Sequence, residues 1–455
     1  MVVRSLFKNY DKGAARNRSR VDDVQIMQER IVMCLDEMDA NSVYFRENMP
    51  HLIAQFMPSE VLLENIIGMG EFGTVVEVTG IRLANSTSDD GDTSSPPLVN
   101  LQQNMEGLSD SLRCKVQSCF ELSSLDNFEV PPLQEECDDS GYDKENIRQR
   151  DELRYQIADT LSTDATITSM QYNYAVKQIR RDLYPDKREE AAKSLAKEQK
   201  FLQTIQHPNI VRLRGIVDEP GGNNHMLMLD KLGHSLLQQV VDWKEELPSN
   251  SFAFPWKSPK VQETEARVLS ERLFALYDIA QAVSFLHSKS IVFRDLKVEN
   301  AAKRPGNGAL QLFDFGLARE LKAVDQVNKG EYHLTGLTGT FRIMSPEVIQ
   351  CTPYGLSTDI FSFGIFAWEV FSGNRSRLTA QEVCRGQRPE CRGVDFPASF
   401  QSDLLNKCWN ERPSTRPTID QVCKIIASEL LRGRKDDDKS DIVDRVELLR
   451  QTSTG

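Results

Sequence analysis

Residues 291–300 read IVFRDLKVEN, an apolar run followed by a carboxylate, a cation and an amide. Asp295, Lys297 and Asn300 are of the types that accept a proton, neutralise an anion and bind a metal ion. The same pattern is also typical of a solvated turn after a buried segment. The functional interpretation therefore requires partners elsewhere in the chain that suit one reaction.

A second carboxylate follows a predicted strand in LQLFDFGLAR at 310–319. Asp314 stands at the end of this strand and Gly316 comes just after it, so the carboxylate lies on a flexible turn where a metal could be held. Together with Asp295 and Asn300 it provides oxygen ligands suited to Mg²⁺, a hard ion that binds through a few protein oxygens plus phosphates.

Two charged residues stand where the sequence pattern predicts burial. Lys177 lies in YAVKQI on a strand face with Ala175 and Ile179, and Glu198 lies on the apolar stripe of a helix predicted at 186–206. Each charge would be costly to bury alone, and pairing them removes that cost. We therefore predict a Lys177–Glu198 ion pair, for which a purely structural role is the alternative.

The glycines of GMGEFG at 68–73 match GxGxxG, a pattern that dinucleotide-binding sites share. In a dinucleotide fold the third glycine opens a helix, whereas here TVVEV continues as a strand. The glycines are thus predicted to cap a hairpin whose amides cover phosphates, because no Cβ keeps them away. A dinucleotide-binding oxidoreductase does not fit, and phosphates with a metal and a spare carboxylate indicate phosphoryl transfer.

In the order and spacing of these motifs, residues 58–430 resemble the eukaryotic protein kinases, apart from one insertion. The resemblance implies ATP and Mg²⁺ as cofactors. It also implies that the backbone of three glycines covers the ATP phosphates, and that Lys177, fixed by Glu198, holds the α and β phosphates. These glycines are Gly68, Gly70 and Gly73.

The same resemblance implies roles for the polar residues of the two motifs after the insertion. Asp295 accepts or orients the proton of the substrate hydroxyl, and Lys297 neutralises the γ phosphate. Asn300 and Asp314 bind Mg²⁺.

The rest of the family's framework also has counterparts in this chain. By resemblance, Val75 and Ala175 line the adenine pocket and Leu229 guards its rear, although all three also suit plain core packing. Glu347 should pair with Arg416.

The chain departs from the family's usual pattern at two positions. Phe293 stands where His commonly precedes Arg-Asp, which keeps bulky apolar packing but loses imidazole hydrogen bonding, and Ser345 replaces the Ala of Ala-Pro-Glu. Asp359 resembles the aspartate that braces the backbone of the catalytic loop. Since neither departure removes a ligand or a base, an active kinase is expected, with a pseudokinase scaffold as the alternative.

Three features bear on which hydroxyl accepts the phosphate. Lys297 and Thr340 resemble the Ser/Thr-specific pattern, while WEVFSGN, GQRPE and KCWNERPSTRP resemble the tyrosine-kinase-like group, whose members mostly phosphorylate Ser or Thr. The expected substrates are protein Ser and Thr hydroxyls, and dual specificity is the alternative.

Arg294 places a cation beside the predicted catalytic carboxylate. Its simplest use is to bind a phosphate group on the segment between Asp314 and Glu347. Thr335 and Thr338 of this segment are candidates for phosphorylation by an upstream activating kinase. The alternative is that these threonines only make turn contacts.

Composition bounds the class of protein. The 455 residues carry a formal net charge of −12, and residues 81–169 contribute −11 of it (18 Asp plus Glu against 7 Lys plus Arg). The rest of the chain is therefore nearly neutral, which indicates neither a basic nucleic-acid-binding surface nor an acidic surface at the functional site. Nine scattered cysteines without CxxC fit a reducing, cytoplasmic location. The most apolar window, 360–371, is short and contains a Glu, which predicts a buried helix and no membrane span.

These residues must be positioned by an α+β, bilobal protein-kinase-like fold. We expect a small β-rich N-terminal lobe of five strands with one helix, and a larger, mainly helical C-terminal lobe. Residues 81–169 form a segment rich in Ser, Asp, Glu and Pro. This composition predicts a largely disordered insertion with a transient helix near IRQRDELRYQIAD. The predicted units are an N-terminal extension 1–57, an N-lobe 58–80 and 170–232, an insertion 81–169, a C-lobe 233–430 and a charged tail 431–455.

Overall fold

The computed structural model describes residues 20–83, 141–162, 174–247 apart from 219, 221 and 223, 258–397 apart from 307, and 400–432. These residues form a small lobe built on a β-sheet and a larger lobe built on helices, as the bilobal α+β prediction requires. The predicted disorder of 84–140 and 163–169, and the charged tail beyond 432, lie outside the described residues.

The small lobe contains one six-stranded sheet. Its strands are β1 (Ala54–Phe56), β2 (Val61–Met69), β3 (Gly73–Ile81), β4 (Tyr174–Ile179), β5 (Leu213–Val217) and β6 (Met226–Asp230). Their order is β1-β5-β6-β4-β3-β2, with β1 parallel to β5 and every other neighbour antiparallel. The prediction of five strands is wrong, because a short segment before the predicted boundary at residue 58 adds an edge strand.

The helix that carries Glu198 begins at a proline and packs under this sheet. It runs from Pro185 to Thr204, close to the predicted 186–206, and its buried residues include Leu195, Glu198 and Leu202. Proline suits the first helical position because its missing N–H has no intrahelical acceptor there.

The small lobe holds more than the single predicted helix. In chain order its helices are α1 (Arg20–Asp39), α2 (Tyr44–Glu47), α3 (Gly141–Ser162) and α4 (Pro185–Thr204). On α1, Ile31 is buried against Ala192 and Ala196 of α4. Part of the predicted N-terminal extension therefore belongs to the packed lobe.

Helix α3 covers the face of the sheet that points away from α4. Its Ile157 is buried in a cluster with Val76, Val176 and Met228, and Leu153 packs beside them. The helix predicted near IRQRDELRYQIAD is present, but it is packed and not transient, and the prediction of disorder is wrong for residues 141–162. The reason is that the outer face of the sheet is apolar and the helix removes it from water.

The large lobe is built around two buried helices. Its helices are α5 (Leu236–Glu246), α6 (Pro259–Ser288), α7 (Pro346–Ile349), α8 (Ser357–Ser372), α9 (Ala380–Cys384), α10 (Asn406–Cys408) and α11 (Ile419–Leu431), with a π-helical turn at Gln401–Leu405. The apolar stripe of α6, which includes Leu276, Ile279 and Val283, is buried, and so is the apolar window 360–371 that lies in α8. Among the described residues no helix is long and apolar enough to cross a membrane.

Short strands flank the two predicted motifs, the loop of Asp295 and the turn of Asp314. They are β7 (Ile291–Val292), β8 (Ala301–Lys303), β9 (Leu310–Leu312), β10 (Arg319–Glu320), β11 (Gln326–Asn328) and β12 (Glu331–Tyr332). They pair as β7 with β10, β8 with β9 and β11 with β12. The β8–β9 hairpin thus joins the loop of Asn300 to the turn of Asp314.

Candidate active site

The backbone of the 291–300 loop is held by one buried carboxylate. Asp359, near the start of α8, accepts the N–H of Phe293 at 2.8 Å and that of Arg294 at 2.9 Å. Arg294 has a φ of 72°, which is strained for a residue with a side chain. The predicted bracing role of Asp359 is thereby confirmed, since its bonds secure this conformation.

The carboxylate of Asp295 accepts hydrogen bonds from three polar side chains. Its Oδ2 accepts from Lys297 Nζ at 2.7 Å and from Asn300 Nδ2 at 3.0 Å. Its Oδ1 accepts from Thr340 Oγ1 at 2.7 Å, and Lys297 Nζ also donates to this Thr340 hydroxyl at 2.9 Å. The loop after β7 and the segment before α7 therefore meet at one carboxylate.

Asp314 and Asn300 lie at the same edge of the cleft. The N–H of Phe313 donates to the carbonyl oxygen of Asn300 at 3.0 Å, which brings the two chain segments together. Asp314 itself has a φ of 71° and leaves 44% of its side chain exposed. A carboxylate held in a left-handed turn and open to solvent is available to a ligand.

The oxygen donors at this edge fit a magnesium ion. Within the described residues, no three His, Cys, Asp or Glu side chains are grouped closely enough to hold a metal by themselves. Mg²⁺ takes most of its ligands from water and substrate phosphates, so one carboxylate and one amide oxygen suit it. Asp314 and Asn300 are the residues that would hold it.

Lys177 makes the predicted pair with Glu198 and a further one with Asp314. Its Nζ lies 2.5 Å from Glu198 Oε2 and 2.9 Å from Asp314 Oδ1. Burial alone would lower the pKa of Lys177, but the carboxylates of Asp314 and Glu198 outweigh burial and raise it. The ammonium is therefore charged and is shared between the helix α4 and the turn of Asp314.

The two carboxylates around Lys177 differ in environment. Burial raises the pKa of Glu198, whose side chain is 1% exposed, and Lys177 opposes this shift. Partial burial opposes ionisation of Asp314, but the neighbouring Lys177 outweighs it and lowers the pKa of Asp314. Asp314 is thus kept as an anion, the form that binds a cation.

The glycine motif forms the predicted hairpin rather than a helix start. The N–H of Gly70 donates to the carbonyl oxygen of Gly73 at 2.8 Å, and β3 continues directly from Gly73. Gly68 pairs with Val75 across the hairpin, and Val75 in turn pairs with Lys177 on β4. The glycine backbone is therefore carried next to the strand of Lys177.

Ala175 and Leu229 lie close to Lys177 in the small-lobe sheet. They are opposite each other on β4 and β6, and both are buried. Ala175 and Lys177 share one strand face because side chains alternate. The structure therefore places Ala175 on the strand of Lys177 and Leu229 on the neighbouring strand, and their role in binding adenine stays a prediction.

Phe293, the main departure from the family pattern, packs against Phe315. Their ring centroids are 5.2 Å apart in an edge-to-face arrangement, and both side chains are fully buried. A histidine from another element contacts the carboxylate that holds this loop: His287 Nε2 lies 2.9 Å from Asp359 Oδ2. Sequence reasoning missed His287, because its partner lies 72 positions away and no local pattern marks the pair.

The predicted Glu347–Arg416 pair is present. Arg416 donates to both carboxylate oxygens, at 2.6 and 2.9 Å, and the pair is buried. Ser345, the smaller departure, bonds with Thr358 Oγ1 at 2.7 Å. This cluster joins the end of the activation segment, as we call the residues between Asp314 and Glu347, to the helices of the large lobe.

Arg294 contacts one of the two threonines proposed for modification. Its Nη1 donates to Thr335 Oγ1 at 3.1 Å, while its Nε donates to the carbonyl oxygen of Leu317 at 2.6 Å. Thr338 Oγ1 donates to Thr335 Oγ1 at 3.1 Å. Both threonines therefore lie on the activation segment near Arg294.

Comparison with known proteins identifies the domain. The protein kinase domain matches residues 163–425. The chain is 30% identical over 250 residues to the probable serine/threonine-protein kinase gdt4 of Dictyostelium discoideum, covering 53% of this chain and 14% of the relative. It is 32% identical over 169 residues to the Arabidopsis thaliana serine/threonine-protein kinase STY17, covering 36% and 28%.

A human relative matches a similar stretch. The chain is 28% identical over 263 residues to mitogen-activated protein kinase kinase kinase 7 of Homo sapiens, covering 55% of this chain and 37% of that protein. The matched segment spans less than half the length of each of these three relatives. Because the protein kinase domain covers more than half of the chain, the chain belongs to the protein kinase family.

Proposed function

We propose that this chain is an ATP-dependent protein kinase that transfers the γ-phosphoryl group of ATP to Ser and Thr hydroxyls of protein substrates. The observation that carries the proposal is the position of Lys177, which contacts Glu198 of α4 and Asp314 of the metal-binding turn at once. A cation held between these groups is ready to bind phosphate oxygens. Family membership and the names of the relatives support the same activity.

In this proposal each residue of the cleft binds or orients a reacting group. The hairpin of Gly68, Gly70 and Gly73 places its backbone over the phosphates, and Lys177 binds them. Asn300 and Asp314 would hold Mg²⁺, which when bound would neutralise charge on the phosphates.

Asp295 is the residue that receives the substrate hydroxyl. As a carboxylate with Oδ1 and Oδ2 already fixed by Thr340, Lys297 and Asn300, it can orient the hydroxyl and accept its proton. Lys297 stays close enough to neutralise charge that develops on the γ phosphate.

Three finer assignments belong to the proposal. The Thr340 and Lys297 contacts at Asp295 support Ser/Thr over Tyr specificity, and the motif resemblance supports the tyrosine-kinase-like group. The Arg294–Thr335 contact supports activation by an upstream kinase. The described cysteines form no disulfide with one another, which supports a reducing, cytoplasmic location.

The test is phosphate transfer from labelled ATP and Mg²⁺ to a generic basic protein, followed by phosphoamino-acid analysis. Label on Ser and Thr that is lost in Asp295→Asn is the expected result. Label on Tyr as well would make the enzyme dual-specific. Absence of transfer, also after treatment with an activating kinase, would overturn the proposal in favour of a pseudokinase scaffold.

A further inference from the structure

The N-terminal segment 20–47, here called the N-terminal clamp, lies against the helix that carries Glu198. Ile31 is buried between Ala192 and Ala196 of α4, and Arg30 pairs with Glu189. At the other end of α4, Tyr44 donates its hydroxyl to Thr204 Oγ1 at 3.0 Å. The clamp therefore follows α4 over most of its length.

The same clamp is bound by the activation segment through a buried carboxylate. Glu320 accepts the Ser42 hydroxyl at 2.5 Å, the N–H of Val43 at 2.9 Å and the N–H of Tyr44 at 2.8 Å. Glu320 is 5% exposed and Ser42 3% exposed. Since a carboxylate left buried without its donors is strongly destabilised, Glu320 favours the docked clamp.

A second activation-segment residue makes an independent contact. The Nζ of Lys322 donates to the carbonyl oxygens of Glu37 at 2.7 Å and of Ala40 at 2.6 Å. These carbonyls lie at the C-terminal end of α1, where intrahelical donors run out and the helix dipole favours a cation. Lys322 therefore caps the first helix of the clamp.

The positions of these two residues connect the clamp to the site. Glu320 lies on β10, six residues after Asp314, and pairs with Ile291 directly before the loop of Asp295. The clamp thus contacts both the helix of Glu198 and the strand that follows the turn of Asp314. Those two carboxylates are the partners of Lys177.

We propose that Glu320 and Lys322 are positioning residues: by docking the N-terminal clamp they hold α4 and the Asp314 turn in the arrangement where Lys177 contacts Glu198 and Asp314 together. The proposal rests on the proposed kinase activity for its consequence in catalysis. Its structural part, the coupling of Glu320 and Lys322 to α4, stands without that activity.

The test uses the full 455-residue chain and two variants that break different contacts. Glu320→Gln keeps the size of the side chain but removes its charge, and Lys322→Met removes the donor to α1. Glu331→Gln is the matched control, because Glu331 lies on the same segment and bonds Asn328. Hydrogen exchange of α1, α4 and α8 is measured together with kcat and the KM for ATP.

Both variants are expected to raise exchange in α1 and α4 but not in α8, and to lower kcat at least about fivefold, the lower end of usual couplings between sites. The control should match the unaltered chain. Faster exchange confined to α1, with kcat at the control value, would overturn the proposal, since the clamp would then merely pack on the lobe. Equal exchange in all chains would overturn it as well.

The two proposals fail in different ways. An unaltered chain without phosphate transfer, in which both variants still raise exchange in α4, would refute the kinase activity and support the coupling. An active chain whose variants leave α4 exchange and kcat unchanged would support the kinase activity and refute the coupling.

Discussion

The guanidinium of Arg416 donates to both carboxylate oxygens of Glu347, at 2.6 and 2.9 Å, and also to the carbonyl oxygen of Ser357 at 2.9 Å. The two charged residues are 69 positions apart in the chain and are both buried. Their bonds tie the end of the activation segment to the start of α8, whose Asp359 holds the catalytic loop.

Removing one partner of this pair should destabilise the protein. Glu347→Ala leaves the Arg416 charge buried without its carboxylate, which costs about 3–5 kcal/mol of unfolding free energy. Chemical denaturation measures the loss. Asp403→Ala, which removes one partner of the exposed Lys407–Asp403 pair, is the control and should change the unfolding free energy by less than about 1 kcal/mol. Equal losses in the two variants would contradict the buried-pair argument.

A double variant tests activation through Arg294. If a phosphate on Thr335 or Thr338 pairs with Arg294, Thr335→Ala with Thr338→Ala should lower kcat about tenfold after treatment with an activating kinase, the scale of a coupling of 1 to 3 kcal/mol. Thr415→Ala is the control, because its hydroxyl bonds the carbonyl oxygen of Arg412 away from this segment. Full activity of the double variant would show that the threonines only make turn contacts.

Gly316 allows α4 to approach the Asp314 turn closely. A Cβ on Gly316 would lie 2.0 Å from Ser194 Oγ, so Gly316→Ala must displace the serine or the turn. We expect a loss of about 1–3 kcal/mol in unfolding free energy together with lower activity. Adding Ser194→Ala removes the clashing oxygen and leaves a nearest contact of 3.3 Å, so it should restore most of both quantities. Failure of this rescue would place the strain elsewhere.

Helix α3 offers two isoleucines in different surroundings for a matched test. Ile157 is 7% exposed against the sheet, whereas Ile147 is 59% exposed on the same helix. Ile157→Ala should lower the unfolding free energy by about 2–5 kcal/mol, and Ile147→Ala by less than about 0.5 kcal/mol. Urea denaturation of both variants checks the difference. Similar small effects would mean that α3 does not stabilise the sheet.

Two buried histidines make stability depend on pH. Burial lowers the pKa of His207 and of His225 to about 4, from an ordinary value of 6.5. As the pH falls from 6.5 to 4, the unfolded chain binds protons that the folded chain does not, so the unfolding free energy decreases by about 3 kcal/mol per histidine. The stability that the neutral imidazoles contribute is complete above pH 6.5.

Denaturation at several pH values measures this dependence. His225→Gln should reduce its slope by about one proton across that window. The same substitution at a half-exposed imidazole beside Asp242, His234→Gln, is measured alongside it. An unchanged slope in His225→Gln would show that this imidazole is protonated in the folded state.

Much of the site was predictable from local patterns. A glycine hairpin before a strand, a lysine on an apolar strand face and a glutamate on an apolar helix stripe are each visible in a few adjacent residues. The Lys177–Glu198 pair could be predicted because a buried charge without a partner of opposite sign destabilises the folded state. The Glu347–Arg416 pair and the role of Asp359 came from the family resemblance, which fixes partners that are remote in sequence.

Other contacts had no local signal. Nothing in AQF marks the three residues of β1 as an edge strand until Gly215 lies beside Ala54. The sequence predicted only a transient helix near residues 147–159 of the insertion, because its few apolar residues gave no sign that Leu153 and Ile157 pack on the sheet.

The amino-acid sequence by itself determined which chemistry we propose for this protein, because phosphoryl transfer needs particular residue types at particular spacings around two short loops. Only the tertiary structure decided which distant residues contact the segments beside those loops. His287 contacts Asp359, and the Ser42 hydroxyl and the N–H of Tyr44 donate to Glu320. The physical reason is burial. Whether a polar group finds its partner depends on which distant segment excludes water around it, and that is a property of the packed chain.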